Sequence, residues 1–501
     1  MNRGDGESSN GTGRLKSARS FFKRVREIDS LKEDLVLKKI HAILKGPPVY
    51  LVGGAVRNSL LSKPITPDYD FAAEGDIKAL SAMAAKGLGG TSFVLDEETS
   101  TYRVAVKKKG RAAAYAVDIA PVKNGDIICD LRMRDFTVNA MAVRLKDLFE
   151  AFEPLLLDPA GGVEDVERRA LRCVSTGVFD DDPLRCLRAF RLSQQYGLEV
   201  DEETLNLIKE KSVLLASISA ERIRDEIISI FSSQAASKTI ERLYSAGVVK
   251  IILPEASGWA DVEGYNLLGH SLKTLDEAEK LLASIYSGGF PGAGMLKRHF
   301  EAPIGPVKKK SLFKAAAFFH DTGKPLTISR EEGRLRFIGH DFEGSRLVME
   351  ILRRLKFSNR FAGEVSNLVK NHHRVFMLAQ LKDRTPRARG HFFRASGGSS
   401  GVDLLCLSLA DARATRGGED EELYRLVIEM LDFYFGVYTR KKQRPILNGK
   451  EIMDIFKVPE GPVVGEIISK ISEGVERGAV RNKREALEYV KAWLKADRGR
   501  G

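Results

Sequence analysis

The spacing of apolar residues changes period once along this chain, and that change constrains the fold more than any single motif does. From Val49 to about Leu145, short β-rich runs alternate with helical stretches. VYLV, DYDFAA, YRVAV, YAVDIA and NAMAVRL are the strand candidates. From about Val163 to Leu253 the spacing is helical. From Leu267 to the end it is almost entirely so, with loops expected at 287–294, 328–336 and 395–401. A further helix is expected over 29–46, stopped by Gly46 and the Pro47-Pro48 pair. The expected fold class is α+β, a small α/β head followed by all-helical segments.

A length of 501 residues suggests about three domains. No apolar run approaches the roughly 20 residues of a membrane helix. The opening MNRGDGESSNGTGR is polar and reads as a flexible tail without a secretory signal. Cys129, Cys173, Cys186 and Cys406 show no CxxC spacing, as expected of buried free thiols in a reducing cytoplasm. The net charge of +12 favours a polyanionic partner, the alternative being a soluble protein that is simply basic.

In VYLVGGAVRNSLL, an apolar strand runs through Gly53-Gly54 into a helix carrying Arg57. Such a turn lets the backbone approach an anion at a helix start, or is only a tight turn. Downstream stands Asp68-Tyr69-Asp70-Phe71. Positions i and i+2 of a strand share a face, so Asp68 and Asp70 point one way while Tyr69 and Phe71 point into a core. Paired carboxylates repel, and a divalent cation such as Mg²⁺ removes that penalty. Asp118, in the apolar run YAVDIA, is either a third carboxylate near the metals or a structural acid meeting Arg134 or Arg57.

These motifs, with DLRMRDFTVNAMAV, LLDPAGGVEDVERRALRCV and DDPLRCLRAFRL, resemble the class II tRNA nucleotidyltransferases and bacterial poly(A) polymerases over most of residues 49–230. The resemblance departs at Arg57-Asn58, where the family usually has Arg-Asp, and at Met133-Arg134-Asp135, where it commonly has Arg-Arg-Asp. It implies a polymerase β-like nucleotidyltransferase head. There an RNA 3′-hydroxyl attacks the α-phosphate of ATP or CTP and pyrophosphate leaves. Asp68 and Asp70 would hold two Mg²⁺ ions. Arg57 and the 53–54 backbone would hold the triphosphate, Arg134 would lie at the nucleotide, and Asp135 with Asn139 would line the ribose pocket.

DDPLRCLRAFRL reads as a helix starting at Asp181/Asp182, with Asp182 and Arg185 three apart on one face. Cytosine and adenine each present an amino donor beside a ring-nitrogen acceptor. A carboxylate and a guanidinium match that pair and clash with uracil and guanine. The matching family motif is credited with this role. The competing reading is a helix salt bridge with Asp182 as a cap. Arg188 and Arg191 continue the stripe, toward phosphates or solvent.

Most of the eight histidines fall after residue 265. His270, His320-Asp321 in FFHDTGKP, and Asp411 follow the ligand order of the HD phosphohydrolases, which this stretch resembles. That order implies a second divalent metal whose identity the ligands leave open. His340, His372 and His373 are candidates for another metal or a substrate phosphate. Lys324 would pair with a phosphate or solvate its loop.

The expected segments are a tail (1–28), nucleotidyltransferase head (29–165), helical neck that binds RNA and base (166–262), HD domain (263–420) and helical C-terminal tail (421–501). The expected function is template-independent addition of C and A to the tRNA 3′ end, with a possible HD phosphohydrolase activity, in the cytoplasm and with no membrane partner. The alternatives are a poly(A) polymerase, an enzyme adding only CC or only A, a phosphohydrolase whose head binds RNA, and a noncatalytic scaffold. TSFVLDEETSTYRVAV lacks the basic, aromatic segment of poly(A) polymerases.

Overall fold

The computed structural model describes residues 22–23, 26–107, 113–381, 383–439, 446–476 and 479–498. The first 21 residues of the expected tail lie outside the described residues. The chain forms two compact units. One comprises the residues up to Ile218 with Arg242–Ile252, the other Ser219–Glu241 with the residues from Leu253 onward.

The first unit is built on an eight-stranded sheet. Its strands are β1 (Phe22–Lys23), β2 (Val49–Val52), β3 (Asp68–Ala73), β4 (Thr91–Asp96), β5 (Thr101–Lys107), β6 (Ala113–Pro121), β7 (Ala142–Arg144) and β8 (Leu156–Leu157), in the order β1-β8-β7-β2-β3-β6-β5-β4. Within this sheet β3 and β6 pair in parallel and every other neighbouring pair is antiparallel. A parallel pair needs a crossover. Helix Ile77–Leu88 and the β4–β5 hairpin supply it, the helix started by the Asp76 carboxylate and ended by Gly89 in the left-handed region. Val52, Ala72, Ala142 and Leu157 form one core with Ile127 and Leu131.

The expected strands VYLV, DYDFAA, YRVAV and YAVDIA are all present, and β4 joins them at the edge. NAMAVRL contributes only Ala142–Arg144, because Thr137–Asn139 coils into a 3₁₀ turn. The helix expected over 29–46 is broken in two, a 3₁₀ segment Arg26–Glu33 and an α-helix Leu35–Ile43. Asp34 causes the break: its carboxylate accepts the Val36 and Leu37 N–H groups at 2.8 and 2.9 Å and starts a new helix. The loop expected at 328–336 is a hairpin, Ser329–Glu331 with Arg334–Arg336, whose Glu332 and Gly333 both take positive φ.

The second unit is helical. Ser400–Arg416 is its buried centre, apolar on nearly every side from Val402 to Ala410, with Asp403 and Ser408 as the buried polar exceptions. Asp403 forms an ion pair at 2.8 Å with Lys309, at the start of helix Lys309–Phe319, and lies 2.9 Å from His299 Nε2. All three side chains are nearly inaccessible. Helices Gly449–Phe456, Pro462–Glu476 and Lys483–Arg498 close on a core containing Ile452, Ile467, Ile471, Val480, Ala486 and Val490. No helix among the described residues is long and apolar enough to cross a membrane.

Removing one partner of a buried pair leaves the other charge uncompensated, at a cost of about 3–5 kcal/mol. Asp403→Asn is therefore expected to destabilise the second unit by about that amount, read as a lowered denaturation midpoint. Substitution of a surface pair such as Arg360–Glu364 is expected to shift it by about 1 kcal/mol at most.

Candidate active sites

In the first unit, β2 ends at Val52 and the chain turns at Gly53 into helix Gly54–Leu60. Gly53 has φ +67° and ψ −126°, a conformation that side chains disfavour. A Cβ there would stand 3.4 Å from Asp70 Oδ2 and 3.7 Å from an Arg134 nitrogen, so the turn lies directly against Asp70. Asp68 and Asp70 share one face of β3, while Tyr69 and Phe71 are buried on the other. Asp118 on β6 is in register with Asp70 and shares its face.

Burial, then the negative charge of Asp118, pushes the Asp70 carboxyl above its ordinary value, with Arg134 acting against them. Oxygen donors gathered on one side, one of them short of positive charge, fit a divalent cation. The partner of Asp118 is neither Arg134 nor Arg57. Register puts Arg103 of β5 opposite it, and that guanidinium donates to both carboxylate oxygens at 2.7 Å. Arg134 donates instead to Asp130 at 3.0 Å.

Arg57 is only 6% exposed. Its guanidinium lies 3.8 Å from the centre of the Tyr196 ring and donates to Asn58 and Asn139. Asn139 donates to Asp135 Oδ1 at 2.9 Å, and Arg188 reaches Asp135 Oδ2 at 3.4 Å. Burial works to raise the Asp135 carboxyl, but Arg188, Asn139 and the Phe136 N–H outweigh it and hold the group below its ordinary value. Four expected site residues, Arg57, Asn139, Asp135 and Arg188, thus form one network.

The segment expected to read the base starts its helix later than expected. Helix Arg185–Tyr196 starts three residues after Asp182, which lies in extended backbone before Pro183. Asp182 Oδ1 accepts the Leu184 N–H at 3.2 Å and Arg185 Nη1 donates to the Val178 carbonyl at 3.1 Å. The two residues are therefore not an i,i+3 pair on one helical face. Arg191 donates to Gln195 at 3.3 Å. Tyr196 and Arg103 were not evident from sequence: one reads as a core aromatic, and the other needs the strand register.

In the second unit, five histidines and two aspartates converge, the histidines and Asp321 from helix ends. His270 lies in the first turn of Leu267–Ser287, His320 ends Lys309–Phe319 and Asp321 follows it. His340 opens His340–Arg354, and His372-His373 joins Asn359–Asn371 to Arg374–Ala379. Asp411 comes from the central helix. His270 Nε2 is 3.1 Å from His320 Nε2, 3.2 Å from Asp321 Oδ2 and 3.2 Å from Asp411 Oδ1. All four expected ligands meet, and Lys324 pairs with Asp321 at 2.6 Å and with the Tyr265 hydroxyl at 2.9 Å.

Burial disfavours charge on His320, but Asp321 and Asp411 overcome it and push its pKa up to about 10. Asp321 and Asp411 are held well below the usual carboxylate range by the same contacts, against burial. Burial, then His372 and His340, lowers His373 to about 4, so it stays neutral. Buried imidazole and carboxylate donors with this demand for positive charge fit a divalent transition metal.

Residues 49–172 match the poly(A) polymerase head domain, 197–259 the probable RNA- and SrmB-binding site of polymerase A, and 267–416 the HD domain. The chain is 32% identical over 464 residues to the A-adding tRNA nucleotidyltransferase of Deinococcus radiodurans, covering 90% of this chain and 97% of that one. It is 29% identical to the CC-adding enzyme of Geobacter sulfurreducens, over 88% and 91% of the two chains. The chain belongs to the tRNA nucleotidyltransferase family. A solved CCA-adding enzyme with ATP shares the fold at TM-score 0.61 and 22% identity, covering 95% of this chain and 99% of that one. For the Thermotoga maritima enzyme complexed with tRNA the TM-score is 0.56 and the identity 22%, with the same coverage.

Within this family member, two contacts give measurable expectations. A Cβ on Gly323 would fall 2.0 Å from the His340 carbonyl oxygen and 2.5 Å from the Gly344 nitrogen. Gly323→Ala should force the two backbones apart and lower stability by about 1–3 kcal/mol, read by thermal denaturation. Because Asp135 is depressed in the folded state, its contribution is present at neutral pH and lost as pH falls below about 4. The stability gap between the parent and Arg188→Met should follow the same course, full at neutral pH and narrowing in acid, when unfolding is measured across pH 3 to 7.

Proposed function

We propose that the chain adds C and A residues to the 3′ end of tRNA, using CTP and ATP in the cytoplasm. The observation that carries this reading is the Asp68–Asp70–Asp118 face against Gly53, in a family member that matches named tRNA enzymes along most of its length. The tRNA 3′-hydroxyl oxygen bonds to the α-phosphorus, the bond to the bridging oxygen breaks, and pyrophosphate leaves with the electron pair. Bound Mg²⁺ supplies Lewis-acid polarisation of the reacting oxygens and offsets charge on the leaving group. Asp68 and Asp70 would hold the metal ions, and Asp118, pinned by Arg103, completes the carboxylate face.

The 53–54 backbone and Arg134 take the triphosphate. Arg57, engaged by Asn58, Asn139 and Tyr196, acts on the nucleotide by holding Asn139 and Asp135 at the ribose. Asp182 and Arg185 read the Watson–Crick edge, and Arg188 links that helix to Asp135, with Arg191 farther along the same helix toward RNA. The second unit is a divalent-metal phosphohydrolase acting on phosphate-bearing RNA ends. Its support is the His270, His320, Asp321 and Asp411 cluster and the HD-domain match. The four free cysteines agree with a reducing, cytoplasmic setting.

A second reading, addition of A alone, is favoured by the 32% identity to an A-adding enzyme. The test uses tRNAs ending before CCA, after C and after CC, with single labelled nucleotides and with CTP plus ATP. Stepwise CC then A, stopping there, is expected. A added only after CC gives the second reading, and long A tails on varied RNAs sink both. Asp70→Ala should lower incorporation roughly a thousandfold or more, about 4 kcal/mol of transition-state stabilisation.

A further inference from the structure

We infer that Tyr196 is a positioning residue for nucleotide selection: its ring, lying against the Arg57 guanidinium, fixes the far end of the helix that begins at Arg185. This rests on the nucleotide-transfer reading above, in which Asp182 and Arg185 meet the base and Asp135 meets the ribose. Helix Arg185–Tyr196 has 12 residues and so spans about 18 Å. A tilt of about 3° at one end of such a rod moves the other by about 1 Å. A displacement of that size spoils a hydrogen-bonded fit to a base edge.

Arg188, in the first turn of that helix, reaches Asp135 Oδ2 at 3.4 Å. A single point of attachment leaves a rod able to pivot, and a second one far along it does not. Tyr196, the last residue of the helix, supplies that second point. The Arg57 guanidinium lies 3.8 Å from its ring centre, and both side chains are buried. Arg57 donates to Asn139, and Asn139 donates to Asp135 Oδ1 at 2.9 Å. The contacts close a loop from Tyr196 through Arg57, Asn139, Asp135 and Arg188, with the helix itself as the last side.

The same helix end is held by further contacts. Lys63 Nζ donates to the Gln195 carbonyl oxygen at 2.9 Å and lies 5.0 Å from the Tyr196 ring centre. The last carbonyls of a helix lack partners within it and carry its negative end, so a cation is favoured there. The Gln195 side-chain amide donates to the Tyr196 hydroxyl at 3.1 Å and accepts from Arg191 at 3.3 Å. Arg57 belongs to helix Gly54–Leu60 and Lys63 stands three residues beyond it. The segment that starts at the Gly53 turn therefore grips the end of the helix whose other end lies at the base. A core aromatic needs only apolar neighbours. Here a buried guanidinium takes the ring face, an attraction that an aliphatic side chain of similar bulk cannot replace.

The experiment uses the full chain and measures kcat/KM for CTP against UTP and for ATP against GTP, on tRNAs ending before CCA, after C and after CC. Tyr196→Phe keeps the ring and should select within about twofold of the parent, as expected if the ring face carries the attraction. Tyr196→Leu and Tyr196→Met keep apolar bulk without the ring face, and either should lower the selectivity ratio roughly tenfold. Phe190→Leu removes a different buried ring from the same helix and should lose thermal stability while keeping the parent ratios. Folding of each variant is checked by circular dichroism. Parent ratios in Tyr196→Leu or Tyr196→Met overturn the inference. So does an equal loss in Phe190→Leu, which would make loosened packing sufficient, or in Tyr196→Phe, which would assign the effect to the hydroxyl. A parent that incorporates no nucleotide sinks the transfer reading and this inference with it. A parent that adds C or A, with selectivity unmoved at position 196, sinks the inference alone.

Discussion

Like charge held close is the constraint on which both candidate sites depend. Two unit charges 4 Å apart interact by about 4 kcal/mol at an effective dielectric near 20. The parallel register of β3 with β6 sets Asp70 beside Asp118, and the pleat adds Asp68 to the same face. The fold answers part of that repulsion from its own residues. Arg103 grips Asp118 with two hydrogen bonds, and Arg134 acts on Asp70 from beside Gly53. Asp70 nevertheless remains raised, which is the electrostatic condition a divalent cation relieves. In the second unit Asp321 and Asp411 are answered by imidazoles and by Lys324.

The network around Asp135 gives the first unit its internal order. Helix Arg185–Tyr196 touches it at two places, Arg188 on Asp135 and Tyr196 under Arg57. Asn139 closes the path between those points. A segment proposed to read a base and a pocket proposed to hold a ribose would have to keep a fixed separation to accept one nucleotide geometry. A buried guanidinium stacked on an aromatic ring and hydrogen-bonded on its edges is a stiff way to hold it, because its planar fork loses little freedom per bond formed.

Much of this was legible in the sequence, for physical reasons that differ between elements. In DYDFAA the two aspartates alternate with the buried Tyr69 and Phe71, so the strand and the shared side of Asp68 and Asp70 could be read. β4 is an exposed edge strand and offers no such contrast. Asp34 looks like any helix-surface acid until its carboxylate is seen capping a new helix. The late start of Arg185–Tyr196 follows from Pro183, which holds Asp182 extended and moves Asp182 and Arg185 onto different elements. The Arg103–Asp118 pair depends on strand register across a hairpin, which composition does not encode. The four residues expected as HD ligands could be grouped by their order, and the structure brings them together, whereas the division of Asp321 between two histidine groups is a property of helix ends packed in three dimensions.

The two departures from the family pattern fall where the surroundings accommodate a change of charge. An aspartate at position 58 would give Arg57 a charged partner. Asn58 still accepts from that guanidinium at 3.1 and 3.3 Å, and its amide also donates to the Pro64 carbonyl at 3.1 Å, a bond that a carboxylate could not make. Arg57 then directs its remaining polarity toward Asn139 and the Tyr196 ring. Met133 replaces an arginine where the side chain is 42% exposed, so no buried charge is orphaned by the change. Both substitutions lie beside the carboxylate face without altering its register, which is set by the backbone ladder between β3 and β6. The register of the carboxylate face is a property of the β3–β6 ladder and of the turn at Gly53, and neither Asn58 nor Met133 takes part in either.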